Sequence, residues 1–189
     1  MKILITRHGQ TDWNVLGKLQ GQTDIELNDT GRMQAENIKE LVKNEKIDLI
    51  ITSPLKRAKE TALIINQDNN IPIIEDKRLM ERYFGEFEGV TKEDRIKLRE
   101  INLEIKDIWN YKKNIKLNTM ENMHDFCSRI YNFLDEVIKI YKDRNILIVT
   151  HGGASVPIIC YFEKYPLESI TDRNNIKSLE NCEVIKFEI

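Results

Sequence analysis

Two apolar runs in this chain end in the same way. Ile3-Leu4-Ile5-Thr6 leads into Arg7-His8-Gly9, and Ile146-Leu147-Ile148-Val149-Thr150 leads into His151-Gly152-Gly153. Short runs this rich in β-branched residues, with almost no polar alternation, read as strands buried on both faces, the pattern of a parallel sheet covered by helices. In open α/β sheets the ligand crevice lies beyond the carboxyl ends of the strands. The chain has only three histidines, and two of them stand at that crevice, each followed by glycine. Few folds deliver such a pair, and Arg7 beside the first suggests chemistry on an anionic group.

The rest of the chain supports the same architecture. Lys2–Thr6 is expected as the first strand. Asn28–Lys43 has helical spacing, with Asn28 or Thr30 as cap. Asp48–Thr52 reads as a short buried strand. Ser53-Pro54 suits an N-cap followed by a first helical position, opening a helix to about Asn66. A strand at Ile71–Ile74, a loop holding Gly85 and Gly89, a charged helical stretch from about Thr91 to Tyr111 and a helix at about Met120–Tyr141 follow. A strand at Asn145–Thr150, a helix at about Gly153–Phe162 and an edge strand at Cys182–Glu188 close the chain. Repeated strand–helix–strand order predicts a three-layer α/β/α fold with a mostly parallel central sheet. Residues 91–118 break the alternation and are expected as a small helical cap inserted into one domain spanning 1–189. This segment carries eight Lys/Arg against five Asp/Glu. Such a run ordinarily reads as a solvated helix face, with substrate steering as the sharper reading.

Composition narrows the function classes. The chain has 189 residues, 41% hydrophobic and 32% charged, with a net charge of −2. That balance gives no electrostatic case for nucleic acid or an anionic membrane surface, so any anion recognition must be local. No apolar run approaches the ~20 residues of a membrane helix, and the run at the start is cut short by Arg7, so no secretory signal is expected there. Cys127, Cys160 and Cys182 are odd in number and far apart, which favours a reducing, cytoplasmic setting over disulfides or zinc.

The residues at the strand ends can carry phosphoryl chemistry. A neutral imidazole at His8 is a nucleophile toward phosphorus. Arg7 offers a planar two-pronged donor to the anion. Gly9 leaves room for a substrate near the backbone, and Asn14, Gly17, Gln20, Gly21 and Thr23 supply uncharged donors. Gly152-Gly153 opens a helix whose first amides favour an anion. Arg57 lies within the first turn or so of the helix after the second strand. A leaving oxygen needs a proton, and Glu81, Glu86 and Glu88 are all placed to offer a carboxyl group. No cluster of His, Cys, Asp and Glu has the spacing of a metal site.

These elements, in this order, resemble the histidine phosphatase superfamily, the phosphoglycerate mutase-like family. The resemblance rests on Arg7-His8-Gly9 with Thr11, Trp13-Asn14, Gly17, Gln20-Gly21 and Asp24, then Leu27-Asn28-Asp29-Thr30-Gly31 with Gln34-Ala35. It continues in Ser53-Pro54-Leu55-Lys56-Arg57-Ala58 with Thr61-Ala62, in Glu81 with Phe84-Gly85 and Glu88-Gly89, and in His151-Gly152-Gly153. It implies the α/β/α fold and a metal-independent phosphomonoesterase without cofactor, acting on a small phosphorylated metabolite. It further implies His8 as the residue that becomes phosphohistidine and Glu81 as the proton donor and later base. Arg7, Arg57 and a positively charged His151 are implied as phosphate ligands, with Asn14, Gln20, Gly21 and Gly152 completing the substrate pocket. Alpha-ribazole phosphatase and broad-specificity phosphatases are the substrate precedents. Two places depart from the family pattern: Ala154-Ser155-Val156 after the second His-Gly-Gly, and Met120-Glu121-Asn122 after the cap. The alternatives are a cofactor-dependent phosphoglycerate mutase and, from another class, a catalytically inactive binding module on the same fold. A mutase of this family usually has a longer cap and a histidine in the Glu81 motif, where this chain has Glu81-Arg82-Tyr83.

Overall fold

The computed structural model describes residues 1–101, 103–117, 120–171 and 176–189. Five strands, β1 (Lys2–Arg7), β2 (Leu49–Thr52), β3 (Ile73–Glu75), β4 (Ile146–Thr150) and β5 (Val184–Glu188), form one sheet in the order β3-β2-β4-β1-β5. The first four are mutually parallel, and β5 runs antiparallel on the edge beside β1. Among the described residues the helices are α1 (Asp12–Val15), α2 (Asp29–Asn44), α3 (Lys56–Ile65), α4 (Lys92–Ile101), α5 (Met123–Ile140) and α6 (Gly152–Phe162). None is long and apolar enough to cross a membrane.

The three layers follow from side-chain alternation along the strands. Ile3, Ile5, Leu49, Ile51, Ile146 and Ile148 point to one face, onto Phe126, Ile130, Phe133 and Leu134 of α5 and Val156 and Cys160 of α6. Leu4, Ile50, Leu147 and Val149 point to the other, onto Val42 of α2 and Ala58, Ala62 and Ile65 of α3. Helices on both faces are why the central strands carry no polar alternation.

Several boundaries differ from the sequence expectation. Asn28, not Thr30, caps α2, its Oδ1 accepting from Gly31 N–H at 2.9 Å. α3 begins at Lys56, not at Ser53-Pro54. Its first amide is capped from another loop: Lys56 N–H donates to Asp24 Oδ1 at 2.7 Å. α5 begins three residues later than expected because Asn122 caps it, accepting from Asp125 N–H at 3.0 Å. β3 is Ile73–Glu75, and β5 starts at Val184 because Cys182 takes a left-handed turn, φ 57°.

The expected helix from Thr91 to Tyr111 is not continuous. α4 ends at Ile101 and a 3-10 turn spans Leu103–Asp107. Ile105 within that turn and Ile108 just after it are both buried. Asn102 and Asn118 of the expected cap lie outside the described residues. Ile108 joins Phe84 and Met120 in a small apolar cluster with Leu19, Phe87, Trp109 and Leu117 packed against it.

The loop after β1 is pressed directly onto the start of α2. A Cβ on Gly31 would lie 2.1 Å from the Gln10 carbonyl oxygen, and one on Gly9 would lie 2.3 Å from the Gly31 carbonyl oxygen. Gly9 is therefore required by packing, not by substrate approach. Alanine normally stabilises a helix position by ~1 kcal/mol relative to glycine. Gly31→Ala is nonetheless expected to destabilise, by about 1–3 kcal/mol, because backbone on both sides must shift. Urea denaturation of the variant against wild type measures the sign.

Candidate active site

Parallel pairing sets the heart of the site. The register places Arg7 opposite Thr150, so the next residues, His8 and His151, leave the sheet side by side. His8 N–H donates to the Thr150 carbonyl at 2.9 Å, and the imidazole centroids are 5.2 Å apart. β2 lies on the other side of β4 and delivers Ser53, whose Oγ is 2.8 Å from His151 Nε2. Three neighbouring strand ends thus supply three adjacent side chains.

The tautomer of His8 is fixed by its partner. Nδ1 lies 2.7 Å from the Gly9 carbonyl, which can only accept, so Nδ1 carries the proton and Nε2 keeps its lone pair. Burial, then Arg57 and Arg7, push the His8 pKa well below the ordinary histidine value. His151 is shifted the same way by burial, then Arg57, His8 and Arg7. These surroundings oppose the positive charge expected on His151 from the sequence and favour its neutral form in the protein alone. A bound dianion reverses the sign of the local field and is what can return a proton to it.

The two arginines are held by carbonyls. Arg57, fully buried, donates through Nη1 to the Thr23 carbonyl at 2.9 Å and through Nη2 to the Gly21 carbonyl at 2.6 Å. Burial draws its pKa down to about 10. Arg7 Nη1 donates to the Leu179 carbonyl at 3.0 Å, and burial lowers its pKa as well. Among the described residues, Arg7 Nε, Arg57 Nε and His151 Nδ1 are buried with no hydrogen-bond partner. Three uncommitted ring or guanidinium nitrogens around His8 suit a tetrahedral oxyanion.

The loop carrying Gly21 and Thr23 is clamped by Glu88. Its Oε1 accepts from Gln22 N–H at 2.9 Å and Phe84 N–H at 3.0 Å, and its Oε2 accepts from the amide and hydroxyl of Thr23 at 2.8 and 2.5 Å. Glu88 is thereby committed to structure. Gly21 has φ +55°, and a Cβ there would collide with the Glu88 carboxylate. Glu81 differs: its Oε1 accepts from Arg82 N–H at 2.9 Å and its Oε2 from Gly153 N–H, in the first turn of α6, at 2.7 Å. A Cβ on Gly153 would sit 2.3 Å from Glu81 Oε1, and one on Gly152 3.3 Å from the Arg7 guanidinium. The two glycines after His151 let a carboxylate and a guanidinium lie against the helix start.

These parts open onto a cleft of about 540 Å³. Arg7, His8, Asn14, Gln20, Gly21, Arg57, Glu81, Gly152 and Gly153 line it. The structure thus brings together most of the residues named from the sequence. His151 is buried beside His8 and does not form the cleft wall, and Gly9, Gly17, Thr23, Glu86 and Glu88 do not line it either. Asn14 uses Oδ1 to accept from the amide and hydroxyl of Thr11, both at 3.0 Å, so its amide end is what it can offer a ligand.

Other contributors were missed by sequence reasoning. Ser53 was read as a helix cap, yet its place after a strand at the same crevice was already visible. Asn181 Nδ2 donates to the His8 carbonyl at 2.9 Å, and Thr61 Oγ1 accepts from Gly9 N–H at 3.0 Å. Arg82 is fully buried, its guanidinium 5.6 Å from the Phe84 ring and 5.3 Å from the Trp109 ring. It donates through Nε to the Glu121 carbonyl at 2.7 Å and through Nη1 to the Ile108 carbonyl. Lys18, Arg95, Arg99 and Trp109 also line the cleft.

Comparison with known proteins shows the family and the fold. A family model for the histidine phosphatase superfamily, branch 1, matches residues 3–189. A Bacillus subtilis protein named uncharacterized phosphatase PhoE is 42% identical over 152 residues, 80% of this chain and 72% of that one. The structure of Bacillus stearothermophilus YhfR matches with a TM-score of 0.88 at 27% identity, covering 100% of this chain and 91% of that one. The alpha-ribazole phosphatase of Shigella flexneri matches with a TM-score of 0.86 at 26% identity, with coverage of 100% and 91%.

Two buried neutral histidines have a consequence for stability. Their folded pKa values lie below the unfolded value of ~6.5, so below that pH the unfolded chain binds more protons. The stability they leave intact above about pH 6.5 is lost progressively as pH falls beneath it. The melting temperature should therefore decline on acidification, with a shallower slope in His8→Asn. NMR of the imidazoles should show both rings neutral at the pH where an exposed histidine is half protonated, and an ordinary titration of either ring would contradict the assignment.

Proposed function

We propose that this chain, which belongs to the histidine phosphatase superfamily and is a phosphatase, hydrolyses small phosphomonoesters through a phosphohistidine on His8, with no metal or cofactor. One observation carries the reading: His8, with an unprotonated Nε2, lines one cleft with Arg7 and Arg57, whose Nε atoms are uncommitted.

The chemistry balances in two steps. The Nε2 lone pair attacks phosphorus while the ester P–O bond breaks, and Glu81 gives its proton to the departing alkoxide. Arg7, Arg57 and His151 Nδ1 hold the three equatorial oxygens as negative charge shifts onto them. Ser53 supports the required tautomer of His151. Its Oγ accepts from Leu55 N–H at 3.4 Å and can donate its own hydrogen to Nε2, leaving the His151 proton on Nδ1. Water then attacks phosphorus, Glu81 takes the water proton, the N–P bond breaks and inorganic phosphate leaves. The amides of Arg82 and Gly153 fix Glu81 for both transfers. Arg7 and Arg57 supply the positive charge that a divalent ion supplies in other phosphotransfer sites. The substrate is a small metabolite, on the scale of the cleft. The fold likeness to an alpha-ribazole phosphatase makes that ester one member of the panel to assay.

Four measurements test the reading. Labelled substrate quenched in base should leave the label on His8, and His8→Ala should lose both label and turnover; label on His151 would contradict it. Activity should survive exhaustive EDTA. Glu81→Gln should lower turnover by about 10²-fold or more on alkyl phosphates, and by less on p-nitrophenyl phosphate, whose leaving group needs little protonation. Incubation with 3-phosphoglycerate and 2,3-bisphosphoglycerate should release phosphate. Conversion to 2-phosphoglycerate without phosphate release would identify a mutase instead.

A further inference from the structure

With Arg7 and Arg57 assigned to the phosphoryl group, the cleft still holds three cations: Lys18, Arg95 and Arg99. Glu81 is the only carboxylate lining it among the described residues, and two backbone amides hold it. None of the three cations forms an ion pair among the described residues.

α4 is divided by charge in a way that a solvated helix face is not. Lys92, Glu93, Asp94, Lys97 and Glu100 are exposed, of mixed sign, and Lys97 pairs with Asp94 at 3.5 Å. Arg95 and Arg99, one helical turn apart, are part-buried and face the cleft. Like charges at this spacing destabilise a helix. Arg95 donates to the Gly17 carbonyl at 3.3 Å and the Val90 carbonyl at 2.9 Å, which fixes its guanidinium without neutralising it. Arg99 Nε is buried with no hydrogen-bond partner. Beside them, Leu19, Phe84, Ile108 and Trp109 give the cleft an apolar wall. Among the described residues no carboxylate pairs with these two like charges at the edge of the apolar wall, and an anion brought in from outside would match them.

The geometry points to a substrate with a second anionic group, a carboxylate or another phosphate, seated on Arg99 and Arg95 with Lys18 while the ester phosphate sits at His8. The inference rests on the phosphomonoesterase reading and deepens it: the enzyme prefers doubly anionic phosphomonoesters to those whose alcohol portion is neutral or cationic.

The test compares matched esters. O-phosphoserine and O-phosphoethanolamine differ by one carboxylate, and 1,3-propanediol bisphosphate and propyl phosphate differ by one phosphate; p-nitrophenyl phosphate is the reference. In wild type, kcat/KM should favour the acidic member of at least one pair by about tenfold or more, the scale of a charge-assisted hydrogen bond, chiefly through KM. A preference confined to one pair names the second group. In Arg99→Ala that ratio should collapse toward unity, in Arg99→Glu it should invert, and Arg99→Lys should keep part of it. The ratio is taken within each variant, so a general loss of folded enzyme cancels. Equal kcat/KM for both members of both pairs in wild type, or a ratio unchanged in Arg99→Ala, would overturn the inference while leaving the phosphatase reading intact. No release of phosphate from p-nitrophenyl phosphate would overturn both.

Discussion

Arg7 and Arg57 are kept out of water with carbonyls for partners where ion pairs would be expected. Withdrawing a guanidinium from solvent costs several kcal/mol even after relaxation. A carboxylate at contact distance would offset that cost, but it would also cancel the field. Here the Gly21, Thr23 and Leu179 carbonyls take up part of the donors without a carboxylate at contact distance. Much else follows from that choice. The loop after α1 must hold two carbonyls rigidly, so Glu88 pins it from below with four donors and Gly21 leaves room for the carboxylate. The histidines, sitting in the same field, stay unprotonated. A nucleophile with a free lone pair and a cationic oxyanion pocket are two outcomes of one electrostatic arrangement.

What the sequence made legible divides along physical lines. Buried strands and helical faces are written in local periodicity, so β1, β2, β4, α2, α5 and α6 could be read within a few residues. His8 and His151 could be read because strand ends and glycines mark them. Ser53 was visible but misassigned, because a serine before a proline is a good local cap and only the sheet order reveals His151 as its neighbour. α3 is capped by Asp24, a contact 32 residues away in the chain that no local pattern encodes. The three candidate carboxylates could be separated only by their hydrogen bonds: Glu88 has four donors, Glu81 two at the cleft, and Glu86 lies off it. The charge of His151 depends on the sum of its surroundings, which is a property of the folded site and not of any motif.

The segment between β3 and α5 was the least legible part. Its charge excess reads as solubility until the helix is placed, since a run of Lys, Arg, Asp and Glu is the same string whichever face meets solvent. Placement shows that the acidic residues of α4 turn outward and the arginines inward. The signal available in the sequence was Arg95 and Arg99, two arginines one turn apart among lysines, and guanidinium is the group suited to two-pronged contact with an anion.

Arg82 ties that segment to the catalytic carboxylate. Its amide holds Glu81, while its guanidinium, buried between Phe84 and Trp109, reaches the Ile108 and Glu121 carbonyls. A transplant cut at residues 91 and 118 would leave this cation inside the recipient with foreign backbone in place of Ile108 and no Trp109 above it. The unit that can be exchanged between homologues therefore runs from Glu81 to Met123. Swapping specificity in this scaffold means carrying the proton donor along with the pocket it serves.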